Sequence, residues 1–274
     1  MTSTSNQPDT IVLIPGLWLS ATSWEHWVER YQNKGFEVLA RNWPGLEGEI
    51  QSLREDASSV DDVGFDEVVD YFEKLVRPLD RPPIIMGHSF GGSIVEILLD
   101  RGVGAVGVAI DPGPIKGVLK LPFSELKSAS PGLRNPKNRH RAVMLTPEEF
   151  HYAFTNTLTD QESAAMYERY AIPGPGKALF QAAFANFHPH SPTKVDFHND
   201  DRAPLLLIAG EVDQTAPVAV TRNEYKLESK SKAITAYKEF AGRAHFTIGQ
   251  PGWEAIADFA LEWALNPTAI DEGL

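Results

Sequence analysis

Ser89 stands in Gly87-His88-Ser89-Phe90-Gly91, between the apolar run Ile84-Ile85-Met86 and a helix-like run over residues 93–99. A G-x-S-x-G between a strand and a helix makes a sharp turn that presents the serine hydroxyl at its tip. The flanking glycines belong where a Cβ would block the turn or the close packing of strand on helix. A hydroxyl is a weak nucleophile until a neighbour takes its proton. The chemistry implied is attack on a carbonyl carbon, and the rest of the chain must then supply a base, an orienting acid and a hole for the oxyanion. The bland alternative is a Gly-rich strand–helix loop with an incidental serine.

The base must be an imidazole within hydrogen-bond reach, held in one tautomer by a carboxylate. In this setting the chain order is serine, acid, histidine. Of the eight histidines, His245 follows shortly after the last predicted strand, in Ala241-Gly242-Arg243-Ala244-His245-Phe246. That loop reaches the edge of the sheet where Ser89 belongs; its rival reading is a surface-loop histidine. His88, inside the turn, should point away from the nucleophile. His188, His190 and His198 show no H-E-x-x-H or comparable spacing, so no metal is expected. For the acid, Asp213 follows a predicted strand in Gly210-Glu211-Val212-Asp213-Gln214, although aspartate favours turns in any case. Asp111 ends the preceding strand and is the rival; Glu211 is a third choice. The oxyanion hole needs two backbone N–H groups. Phe90 N–H, at the positive end of its helix, is one candidate. Leu17 N–H, in Pro15-Gly16-Leu17-Trp18, is the other. Gly16 permits close backbone approach, and Gly16 and Trp18 are expected at the substrate, with core packing as the alternative for Trp18.

These residues need elements to position them. Short apolar runs at 10–14, 36–40, 84–88, 104–110, 205–209 and 233–240 read as buried strands. Helical periodicity covers 23–33, 65–76, the run after Ser89 to residue 101, 218–228 and 253–265. Alternating strands and helices make an α/β fold with a parallel sheet of about six strands, whose ligands bind beyond the strands' carboxyl ends. Every candidate residue falls just after a strand. Segment 112–202 breaks the alternation and is too long for a bare loop. Its capping boxes, Thr146-Pro147-Glu148-Glu149 and Thr159-Asp160-Gln161-Glu162, start helices, and a third is expected over 177–187. We read 1–111 with 203–274 as the core and 112–202 as a helical lid inserted between two core strands. Gly102-Val103-Gly104-Ala105-Val106-Gly107 matches a dinucleotide fingerprint, but it ends a helix and begins a strand, the reverse of what that motif requires. Gly102 is read as a helix C-cap.

Composition narrows the partners. The 274 residues carry a net charge of −12 and no cysteine. Negative charge argues against nucleic acid or anionic membranes. Without cysteine there is no disulfide, thiolate metal site or cysteine nucleophile, which fits a cytoplasmic protein. No apolar stretch approaches a membrane span, and polar residues 1–9 lack the pattern of a secretory signal and read as a flexible tail.

Taken together, Ile14-Pro15-Gly16-Leu17-Trp18, the Ser89 motif, Gly210-Glu211-Val212-Asp213 and Ala244-His245-Phe246 resemble the α/β-hydrolase-fold serine hydrolases, over about two-thirds of the chain. The loop at 15–18 with Trp24 and Trp27 resembles the small esterases and methylesterase-like members. The resemblance implies a three-layer fold, a Ser89–Asp213–His245 triad and no cofactor. It also implies a shortened sheet, since the family's usual first antiparallel strands have no room before Ile11. Pro15 replaces a common histidine; Gly16 is kept. A serine nucleophile sets the chain apart from members that use aspartate on haloalkanes or epoxides. The expected activity is hydrolysis of a carboxylic ester through an acyl-enzyme, with an apolar or aromatic substrate favoured by the aromatic residues of 112–202. The same triad could open lactones, cleave C–C bonds or carry out perhydrolysis. A receptor of hydrolase fold that binds without turnover is the non-enzymatic alternative.

Overall fold

The computed structural model describes residues 7–272; most of the segment read as a polar tail lies outside them. The predicted strands form as β1 (Thr10–Ile14), β2 (Glu37–Ala40), β3 (Ile84–His88), β4 (Val106–Ile110), β5 (Leu205–Gly210) and β6 (Thr235–Phe240). They pair in parallel in the order β2-β1-β3-β4-β5-β6. A two-residue strand, Asp271–Glu272, adds to the β6 edge as a seventh. Strands β1, β3, β4 and β5 are buried along their whole length, as expected of Val/Ile/Leu-rich strands covered by helices on both faces. In this order β3 lies centrally, so the turn that follows it opens on the middle of the carboxyl edge.

The sheet is flanked by α1 (Glu25–Gln32), α2 (Phe65–Val76), α3 (Phe90–Asp100), α8 (Val218–Glu228) and α9 (Trp253–Leu265), with four helices between β4 and β5: α4 (Phe123–Leu133), α5 (Pro147–Phe154), α6 (Asp160–Tyr170) and α7 (Gly176–Ala183). Helix α2 shows how the pattern dictates packing. Phe65, Val68, Val69, Phe72 and Val76 recur at helical spacing and all are buried. Gly102 adopts φ 69° where α3 ends, and its N–H and that of Val103 return to Leu99 and Leu98 carbonyls. It is a C-cap, as read.

Segment 112–202 is where the structure departs most from expectation. Both capping boxes form, with Thr146 accepting from Glu149 N–H and Thr159 from Glu162 N–H. The third expected helix is shorter: α7 ends at Ala183, and a single 3-10 turn, Ala185–Phe187, follows. Helix α4 was not anticipated. Its residues, Phe-Ser-Glu-Leu-Lys-Ser-Ala-Ser-Pro-Gly-Leu, hold a proline and a glycine and no clean apolar stripe. Tertiary packing against α5 and α7 holds it. No helix among the described residues is long and apolar enough to cross a membrane.

Candidate active site

The turn after β3 is forced by contacts at its glycines. A Cβ on Gly87 would lie 2.0 Å from the Gly91 carbonyl oxygen, and one on Gly91 would lie 2.2 Å from that of Ile14. Strand β3, helix α3 and strand β1 therefore meet backbone to backbone, and Ser89 is left at the apex with φ 54° and ψ −125°. A serine gains nothing from this conformation by itself and spends about 1–3 kcal/mol to hold it. Two more non-glycine residues have positive φ, Trp18 at 68° and Asp111 at 45°. They follow β1 and β4, the strands on either side of β3. The backbone strain of the described residues is thus concentrated on one edge of the sheet.

Gly16 brings the loop after β1 against this turn. Its missing Cβ would sit 2.7 Å from Ser89 Cβ. Trp43 holds the loop from behind, donating its indole N–H to the Pro15 carbonyl at 2.9 Å. Leu17 and Phe90 then flank Ser89 in one cavity of about 70 Å³. Neither Leu17 N–H nor Phe90 N–H has an acceptor among the described residues, and Phe90 is the first residue of α3, where helix N–H groups lack internal partners. Trp18 lines the same cavity and also packs edge-on to Phe154, with its indole N–H on the Val143 carbonyl at 3.0 Å. Trp18 is thus both a wall of the cavity and a packing residue. Gly16 is not among the lining residues; its place is behind Ser89, because any side chain there would strike the turn.

His245 Nδ1 donates to Asp213 Oδ2 at 2.6 Å, with both side chains fully enclosed. Asp213 Oδ1 accepts from Thr215 N–H at 2.6 Å and Ala216 N–H at 2.9 Å, so the carboxylate is held at both oxygens. A neutral imidazole with its proton on Nδ1 carries its lone pair on Nε2, and His245 Nε2 is buried with no partner among the described residues. The histidine's loop is wired from within. Arg243 donates to Thr247 Oγ1 and to the carbonyls of Thr247, Gln250 and Pro251. Gln250 Oε1 accepts from Ala244 N–H, and Trp27 N–H from α1 reaches the Ile248 carbonyl at 2.8 Å.

His88 and Asp111 lie beneath this pair. His88 Nε2–H donates to the His245 carbonyl at 2.6 Å, so the residue next to the serine supports the histidine's backbone. Burial, then the neighbouring His245, holds the His88 imidazole well below its usual pKa. Asp111 does not bond to His245. Its Oδ1 accepts from Gly210 N–H at 2.6 Å, and burial followed by the charge of Asp213 pushes its carboxyl well above the usual range. Ligand atoms of His88, Asp111 and His245 fall within 4.8 Å of one another. Within this group, His88 Nε2 and Asp111 Oδ1 are already committed to the His245 carbonyl and to Gly210 N–H. Glu211, the third choice for the acid, accepts from Gly242 N–H at the surface.

Two contributors escaped the sequence reading. Helix α5 ties into the loops that carry Asp213 and His245: Phe246 N–H donates to the Phe154 carbonyl at 2.8 Å and Thr215 Oγ1 to the Ala153 carbonyl at 2.7 Å. Glu125, on the unanticipated α4, lines the cavity beside Ser89. Its only sequence signal, an acidic residue three positions after Pro122, is too weak to have marked it.

This fold, with strained turns meeting at the middle of the carboxyl edge of a parallel sheet, is that of a hydrolase class, and the comparisons agree. Residues 11–258 match the Alpha/beta hydrolase family, and the chain belongs to it. Solved structures agree in fold over nearly the full chain. A monoacylglycerol lipase from Paleococcus ferrophilus is 21% identical with a TM-score of 0.64, covering 94% of this chain and 95% of that one. Polyneuridine aldehyde esterase is 18% identical with a TM-score of 0.64, covering 93% and 99%. A pyrethroid hydrolase from Sphingobium faniae JZ-2 is 16% identical with a TM-score of 0.62, covering 94% and 98%. None of the curated proteins matches the chain.

Proposed function

We propose that this hydrolase cleaves small carboxylic esters by a two-step acyl-enzyme mechanism, with Ser89 as nucleophile, His245 as base and Asp213 as the orienting acid. The observation that carries the reading is the enclosed 2.6 Å bond from His245 Nδ1 to Asp213 Oδ2, with Nε2 left unpartnered. His245 takes the Ser89 proton as Oγ attacks the carbonyl carbon. Asp213 stabilises the imidazolium, and the N–H groups of Leu17 and Phe90 receive the oxyanion. The imidazolium returns its proton to the leaving alcohol, and water repeats the sequence to release the acid. Asp213 is preferred to Asp111 as the acid because His245 Nδ1 bonds to Asp213 Oδ2, whereas Asp111 Oδ1 accepts from Gly210 N–H.

In the same reading, 112–202 serves as a lid over the strand ends and sets the substrate. The cavity is lined mainly by Leu17, Trp18, Phe90, Ala129, Leu179 and Ala182, which favours an apolar group. Its volume of about 70 Å³ is a few times that needed to hold one water, which favours a short one. That lipases, esterases and a pyrethroid hydrolase share the fold supports ester chemistry without selecting a substrate. A p-nitrophenyl ester series of increasing acyl length, run on wild type and Ser89→Ala together, tests this. The expectation is Ser89-dependent turnover that is greatest for the short acyl chains. Turnover that survives Ser89→Ala refutes the nucleophile, and a flat or rising profile refutes the short pocket. Activity should also persist in the presence of a metal chelator.

A further inference from the structure

The cavity beside Ser89 contains one feature that acyl transfer does not use. Glu125 reaches it from α4. The residue is 8% exposed, and its Oε2 is buried with no hydrogen-bond partner among the described residues. An unsatisfied buried carboxyl is costly, and a leucine or methionine would fill the same wall at less cost. The other polar side chains at the cavity are committed. Thr215 Oγ1 donates to the Ala153 carbonyl, and Ser89 is the nucleophile of the reading above. Glu125 is therefore the one polar side chain left to address a bound molecule.

Its surroundings decide in which form. The groups that act on it are acids: Asp213 raises its pKa, and Glu125 in turn raises that of Glu224 on α8. Of the cations on and around α4, several are engaged elsewhere, and none is among the groups that shift Glu125. Lys127 Nζ sits 3.7 Å from the Tyr152 ring centre. Arg134 pairs with Glu149 of α5, and Lys177 of α7 with Glu67. His140, in the 3-10 turn Pro136–His140, pairs with Asp62, and His151 of α5 faces Asp160. Burial first, and the charge of Asp213 second, push the Glu125 carboxyl up to about 8. At neutral pH it is an uncharged acid with a proton to donate.

We propose that Glu125 is a specificity-determining residue that donates a hydrogen bond to an oxygen atom on the substrate, separate from the scissile ester, so that the preferred substrates are short esters with an ether, keto or hydroxyl oxygen near the reacting carbonyl. This rests on the esterase reading of the same cavity. A donor inside an apolar wall discriminates more sharply than the wall itself, because an all-carbon analogue leaves it unpaired.

The test uses two pairs of esters matched in shape. Butyryl and methoxyacetyl p-nitrophenyl esters differ by one oxygen on the acyl side. Pentyl and 2-ethoxyethyl acetates differ by one on the alcohol side. The readout is the ratio of kcat/KM within each pair for wild type, Glu125→Gln and Glu125→Leu. Taking each ratio relative to that of Glu125→Leu removes the intrinsic reactivity of the esters. In one pair, wild type should prefer the oxygen-bearing member by about threefold to tenfold over the Leu variant. Glu125→Gln, which keeps an N–H donor, should retain the preference. In wild type the preference should fall as pH rises past about 8, where the donor is lost, and in Glu125→Gln it should not. The pH arm needs only wild type and the Gln variant, so poor folding of the Leu variant leaves it intact. Equal ratios in all three proteins, or a preference in wild type that ignores pH, overturn the proposal. Loss in Gln as complete as in Leu also overturns it, because that marks a charge rather than a neutral donor. Failure of wild type to hydrolyse any of the four esters in a Ser89-dependent way instead refutes the esterase reading, and this inference falls with it.

Discussion

The carboxyl edge of the sheet and segment 112–202 meet around the same cavity and are built on opposite terms. At the sheet edge each residue is held by several independent constraints. Ser89 is fixed by missing side chains at Gly16, Gly87 and Gly91, and His245 by Asp213, His88 and the Arg243 network. Across 112–202 the buried anchoring lies on the inner face, where Phe150 and Phe154 are fully buried, with surface ion pairs such as Arg169–Glu25 and Lys177–Glu67 adding to it, while Leu119, Phe123 and Phe187 stand 79%, 79% and 80% exposed. The lesson is a division of labour. The edge is over-determined and tolerates little change, and the inserted segment can vary what α4 and α7 present to the cavity as long as the bonds of α5 to the Asp213 and His245 loops are kept.

The largest effects should therefore come from the edge. Ser89→Ala should lower kcat for an ester by about 10⁶-fold, and Asp213→Asn by about 10⁴-fold. Asp111→Asn keeps an acceptor for Gly210 N–H and should cost less than about tenfold, since Asp111 makes no bond to His245. Steady-state kinetics on the three variants checks this order; a larger loss at Asp111 than at Asp213 would reverse the assignment of the acid. Next comes Gly16→Ala. Its new methyl must move either the loop after β1 or the Ser89 turn, and a displacement of that size costs about 10²-fold in kcat. Unchanged kcat would mean that the loop adjusts freely and is not over-determined.

Changes in the inserted segment should redirect activity instead of removing it. Leu179, on α7, lines the cavity. Leu179→Ala should move the preferred acyl chain of a p-nitrophenyl ester series longer by about two to three carbons, the size of the side-chain atoms removed, while Ser89-dependent turnover persists. Loss of turnover on every chain length would break the contrast between the two regions.

The smallest effect concerns stability. Glu96 on α3 is buried with both carboxylate oxygens unpartnered among the described residues. Burial, then Glu224 and Glu228, raises its pKa well above normal, with Arg202 opposing. The folded chain thus holds the Glu96 proton more tightly than the unfolded chain, so this contribution to stability is complete below the unfolded pKa near ~4.3 and is lost as pH rises towards the folded value. Glu96→Gln should raise the thermal midpoint at alkaline pH and flatten its decline with pH. An unchanged pH slope would show that Glu96 does not titrate in this way.

Much of this contrast is legible in the chain itself, and for a physical reason. The sheet edge is written in local rules: glycines where backbones touch, apolar runs as buried strands, and functional residues immediately after them. Helices α2, α8 and α9 run over the residues that periodicity indicated, and the bond from His245 to Asp213 joins the two residues first chosen as base and acid. Segment 112–202 obeys local rules only at its capping boxes. Helix α4 exists because α5 and α7 pack against it, and with it Glu125 enters the cavity, a consequence of contacts distant in sequence. The support that His88 gives to the His245 backbone was equally out of reach, since nothing in the order of residues specifies which way a buried ring will point. Positive φ at Trp18 has the same origin, as a bulky aromatic residue does not favour it; Asp111 is of a type that accepts it more readily.

The central claim is that Ser89 is an activated nucleophile, and labelling by a fluorophosphonate probe tests it most directly. The account predicts one covalent adduct on the peptide containing Ser89, lost in Ser89→Ala and strongly slowed in Asp213→Asn. A folded wild-type protein that takes up no probe, or one labelled at another residue, would contradict it.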